Sequence, residues 1–132
     1  METIGEYLIA NNRKFIVKQK ALQSYHANIN RPSNEAKATI IIEIICNYFG
    51  VQFSDINTES RFRYKVIIRQ YIMVFVLQKT NLTLKEVGQL FNRKTGKGYD
   101  HSTVSHAKKT IKDLIQTNKD IRAEYEKIQE LL

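Results

Sequence analysis

The sequence predicts an all-helical domain of five to six helices, with one further helix ahead of it at the N-terminus. Three observations predict this. Apolar residues recur at intervals of three and four along most of the chain, capping signals stand just ahead of the apolar runs, and the single proline, Pro32, falls in a cluster of turn-forming residues. A length of 132 residues and a hydrophobic fraction of 42% are enough for one core. The turn NINRPSNEA divides the chain into an N-terminal extension and linker, residues 1–32, and the main domain, residues 33–132.

In the extension, Leu8, Phe15 and Leu22 stand seven apart, with Ile4 and Tyr25 nearby. This is a weakly amphipathic helix that packs on the body or on a second copy, which makes the chain a monomer or a weak dimer. Ser33 or Asn34 caps the next helix, with Glu35 in its first turn; Ile40, Ile41, Ile44, Ile45, Tyr48 and Phe49 line its buried face, and Gly50 ends it. After a turn capped by Ser54, a basic and then apolar segment runs from Arg61 to Thr80. Its YIMVFVL stretch has the composition of a strand, but the length of the segment favours a central buried helix.

In NLTLKEVGQLF, Thr83 and Glu86 have the spacing of a capping box, and Leu82 and Val87 that of a hydrophobic staple, so a short helix starts at Leu84. The loop NRKTGKGY follows, and Asp100 caps a helix running to about Gln116. A last helix spans about Lys119 to Leu132, with Ile121, Tyr125, Ile128 and Leu132 on one side.

The charge is concentrated. Of the 21 Lys/Arg in the chain, twelve lie between Arg61 and Lys112, against only Glu86 and Asp100, while the remaining nine face eleven acids elsewhere. A continuous basic segment of this kind is the electrostatic footprint of a nucleic-acid binder, although a lysine-rich solvated surface has the same composition. Neither apolar run, ATIIIEIIC nor YIMVFVL, reaches the roughly 20 residues of a membrane span. One cysteine, Cys46, forms no internal disulfide, and Met1 to Ala10 lacks the pattern of a secretion signal, so the expected location is cytoplasmic and associated with the nucleoid.

The stretch GYDHSTVSHAKK sets an aspartate, two histidines and three hydroxyls within seven positions. At 100° per residue, Val104, Ala107, Ile111, Leu114 and Ile115 share one side of its helix, and Ser102, Ser105, His106 and Lys109 lie on the other. A capped short helix, a turn and a helix divided in this way form a helix-turn-helix, whose outer hydroxyls and imidazoles suit base edges and whose N-terminus suits a phosphate. Competing chemistries fit poorly. His101 and His106 are five apart, off the i, i+4 spacing of a two-histidine metal site, and adjacent Asp100, His101 and Ser102 do not aim at one another as a triad requires. The expectation is therefore no metal, no cofactor and no enzyme. Cys46 reads as packing and His26 as a solvent-exposed linker residue.

NLTLKEVGQLF followed by YDHSTVSHA resembles the C-terminal DNA-binding domain of DnaA, the bacterial chromosomal replication initiator, whose signature is a DHTTV-HA sequence opening the recognition helix. The similarity covers about Asn34 to Leu132 and extends through YFGVQFSDI and the arginine-rich run before RQ. It implies a Trp-repressor-like helix-turn-helix that reads double-stranded DNA at DnaA boxes. Carried over by position, Asp100, His101, Ser102, Thr103 and His106 fall in the major-groove set, Arg61 on the minor-groove arginine and Arg69 on a phosphate-contacting arginine. Arg63, Lys79, Lys97, Ser105 and Lys109 complete the phosphate set. Arg63, Lys65, Lys79 and the GKG loop also have a purely solvated reading.

Three departures from the family's pattern bear on sequence preference. Ile68 replaces a proline, the NRKTGKGY loop is longer than the family's, and Leu77 stands where many members have lysine. The chain also has no GxxxxGK[ST] segment, so it is not expected to hydrolyse ATP. Competing with an initiator, recruiting an initiator or other replication protein, and regulating transcription are all open to such a reader. A protein-interaction or RNA-binding module using the same basic face is the alternative.

Overall fold

The first helix, α1 (Asn34–Phe49), turns Ala38, Ile41, Ile42, Ile44, Ile45 and Cys46 into the core. It stops at Gly50, whose φ of 68° lets its N–H bond to Asn47 O while Val51 N–H reaches back to Cys46 O. The computed structural model describes residues 33–93 and 96–132; the expected N-terminal helix, His26, Pro32 and Lys94 lie outside these. Residues Asn34–Leu132 form one compact unit.

A single-turn helix, α2 (Phe53–Ile56), follows. Ser54 lies inside it and is not its cap, a correction to the sequence expectation: the Asp55 carboxylate accepts the Gln52 N–H at 3.1 Å, so the cap stands two residues earlier, at Gln52. The central helix is α3 (Arg63–Lys79). It packs against α1, α2 and the three later helices, so residues 71–76 are buried on every side. That surround explains why YIMVFVL has a strand-like composition yet is helical.

Helix α4 (Leu84–Gln89) begins with the expected capping box: Thr83 Oγ1 accepts the Glu86 N–H at 3.2 Å and Glu86 Oε1 accepts the Thr83 N–H at 3.0 Å. These bonds hold the Glu86 carboxyl below the usual carboxylate range. Leu82 and Val87, the two residues of the staple, are buried. Helix α5 (His101–Thr117) buries Val104, Ala107 and Ile111 against α3 and α4.

The last helix, α6 (Lys119–Leu131), is capped by Asn118, whose side chain accepts the N–H groups of Asp120 and Ile121. Arg122 donates back to Ile115 O and Gln116 O, covering carbonyls at the end of α5. Tyr71 of α3 donates its buried hydroxyl to Glu124 at 2.9 Å, and burial pushes its phenol well above the usual range. Phe75 stacks on Tyr125 with ring centres 4.8 Å apart. The described residues contain helices and no strand, and no helix among them is long and apolar enough to cross a membrane.

Candidate nucleic-acid interface

Helix α5 divides as its sequence predicts. Val104, Ala107 and Ile111 are within 1% of full burial, whereas His101, Ser102, Thr103, Ser105, His106, Lys108 and Lys109 are all exposed. The Asp100 carboxylate caps the helix, accepting the His101 N–H at 2.9 Å and the Ser102 hydroxyl at 3.1 Å. The bond from Ser102, joined by that from the His101 N–H, holds this carboxyl below its usual range. His101 Nδ1 lies 3.0 Å from Asp100 Oδ1, and His106 Nε2 lies 3.4 Å from Thr110 Oγ1. Such contacts bias each ring's orientation while both rings stay in solvent.

What places α5 is a contact of backbone on backbone. Tyr99 N–H donates to Gly88 O at 2.9 Å, and a Cβ on Gly88 would stand 2.1 Å from Tyr99 O. A Cβ on Gly98 would meet Gln89 Cα at 2.7 Å and Gly88 O at 2.8 Å. Only two glycines allow the loop to cross α4 this closely, and the crossing fixes where α5 starts.

The Arg61 arm is tied to the same place. Tyr99 donates its hydroxyl to Thr58 O at 2.9 Å, and Arg69 sends Nη1 to Ile56 O and Thr58 O, each at 3.1 Å, and Nη2 to Ser60 O. The residues just before Arg61 and the residue just before Asp100 are thus bonded to each other. Arg69 is 6% exposed, and burial lowers its pKa. Arg69, expected on a phosphate, is buried and gives three of its five N–H groups to carbonyls inside the fold, so it holds the arm in place.

Arg93 works beside it and carried no role in the sequence reading. Its backbone has φ 44°, and its side chain donates to Lys97 O at 2.9 Å and Gly98 O at 3.1 Å. The guanidinium also lies 4.4 Å from the centre of the Tyr99 ring and 3.5 Å from the Glu59 carboxylate. Its own N–H goes to Asn57 Oδ1. Arg93 therefore closes the loop on itself and pins it to the arm.

The other candidates sort by position. Arg61 and Arg63 are exposed on either side of Phe62, directly after the segment that Tyr99 and Arg69 tie down. Lys97 and Lys109 are exposed, on the loop and on the outer side of α5. Lys79 is exposed but stands at the other end of α3 from Arg63, about 24 Å along the axis, so the structure does not bring it to the same end. Lys85 and Gln89, one turn apart on α4, line an open cleft of about 500 Å³ with Gly98, Tyr99, Asp100 and His101. The sequence signal for this pair was their i, i+4 spacing on the side of α4 opposite Val87.

A family model for the bacterial dnaA protein helix-turn-helix matches residues 38–111. The chromosomal replication initiator protein DnaA of Bacteroides thetaiotaomicron is 34% identical over 102 residues, covering 75% of this chain and 21% of that protein. Its namesake in Bacteroides fragilis is 35% identical over 92 residues, covering 70% and 18%, and that in Bifidobacterium animalis subsp. lactis is 37% identical over 87 residues, covering 66% and 14%. The chain spans about a fifth or less of the length of these relatives.

Proposed function

Since this chain belongs to the bacterial DnaA helix-turn-helix family, we propose that it binds double-stranded DNA sequence-specifically, at sites resembling DnaA boxes, in control of replication initiation or transcription. The observation that carries this reading is the exposed row on α5, with its start fixed against α4 and bonded to the Arg61 arm. Asp100, His101, Ser102, Thr103 and His106 are the base-reading set in the major groove, and Arg61 enters the minor groove. Arg63, Lys97, Ser105 and Lys109 hold phosphates and set the register, Lys85 joins them, and Lys79 is at most peripheral.

Binding-site selection from random duplex DNA at physiological salt, with an RNA pool in parallel, tests this. A duplex motif is expected to be enriched. Thr103→Ala or His106→Ala should then cost roughly 1–3 kcal/mol on that motif and relax the preference at one position, while Lys109→Ala weakens all duplexes alike. Enrichment of RNA alone, or of no duplex motif, would sink the reading.

A further inference from the structure

Phe62 is 71% exposed and Tyr64 52%, the large hydrophobic side chains left in solvent among the described residues. They alternate with cations in the run Arg61-Phe62-Arg63-Tyr64-Lys65, and α3 has no acidic residue in its first turn. An aromatic group in this setting has a polyanion as its natural neighbour, because charge draws in the phosphates and the ring then meets the bases between them.

The ring is also held outward. Phe62 N–H donates to Ser60 Oγ, and Phe62 O accepts the Val66 N–H at 3.0 Å as the first bond of α3. Ser60 O is in turn gripped by the buried guanidinium of Arg69. Backbone on both sides of Phe62 is therefore fixed, and the phenyl group stands out from that frame into solvent. A rigid apolar side chain beside a minor-groove arginine is the arrangement by which proteins wedge into a base step and bend the duplex.

We propose that Phe62 is a wedge that inserts from the minor groove into one base step of the bound duplex, next to Arg61. The inference rests on the duplex reading above. Wedging selects for steps that unstack readily, so a pyrimidine–purine step beneath Arg61 becomes part of the recognised site although no hydrogen bond reads it. Tyr64, two residues further on in the first turn of α3, is exposed as well and is available to the backbone of the same duplex.

The test uses the full chain and its selected duplex, with 2-aminopurine placed in turn at each step and bending followed by energy transfer between end labels. Wild-type protein should raise the fluorescence at one pyrimidine–purine step and bend the duplex. Phe62→Ala should abolish both signals and weaken binding roughly tenfold, with the preferences set by α5 unchanged. Phe62→Leu should keep part of both. Thermal melting of the variants should match wild type, since the ring is solvent-exposed, so a loss of signal is not a loss of fold. Selective binding with no 2-aminopurine response, or undiminished binding by Phe62→Ala, overturns the wedge and leaves the duplex reading standing. Weakening by Phe62→Ala confined to single-stranded oligonucleotides also overturns it, in favour of a stacking platform. Failure to select any duplex sinks the duplex reading and the wedge with it.

Discussion

Arg69 illustrates how a residue's neighbours decide its role. It sits in the most basic run of the chain, yet its guanidinium is buried and satisfies three carbonyls that precede it by nine to thirteen residues. Lysine keeps the charge but lacks the planar fork, so Arg69→Lys should destabilise the fold by roughly 2–3 kcal/mol in urea unfolding. A phosphate contact at this position predicts the opposite pattern, with stability intact and affinity reduced. No sequence pattern marks such a role, because the acceptors are backbone oxygens and every residue has one. Arg93 was hidden for the same reason: its acceptors are the carbonyls of Lys97 and Gly98.

Among elements, those set by local bonds were legible and those set by crossing segments were not. The Thr83–Glu86 box and the Asp100 cap join groups within three residues, so their spacing alone located the starts of α4 and α5. The Asp100 carboxyl titrates below its unfolded value, so its contribution is complete above that ordinary value, about 3.8, and is lost only as pH falls through the lower folded one. The α5 cap should therefore persist through mildly acidic solution and fray in stronger acid. Asp100→Asn retains an acceptor and should remove that acid step, as followed by the His101 amide resonance across a pH titration. The Gly88 crossing, by contrast, joins residues ten and eleven apart through an irregular loop. Gly88→Ala forces backbone apart and should cost about 3 kcal/mol, measurable as a lowered melting temperature, with specific binding lost before the helical content.

Across the whole molecule, the basic segment divides into outward and inward cations. Arg69 and Arg93 neutralise and brace the protein itself, whereas Arg61, Arg63, Lys85, Lys97, Lys108 and Lys109 are exposed. If these six each meet a phosphate, log K should fall against log salt with a slope of about −5, less steep than twelve cations would give. Lys109→Ala should make the slope shallower by about 0.9, and Arg69→Lys should leave it unchanged at temperatures where the variant is folded. Net charge was visible in the sequence; which cations face outward required the packing. The loop before α5 carries a practical corollary. Arg93 fastens its two ends together, and Gly96 faces open space, although its φ of 74° favours keeping the glycine itself. Residues inserted next to Gly96 should therefore leave the start of α5 in place, which makes that point a port for a reporter or a fused peptide.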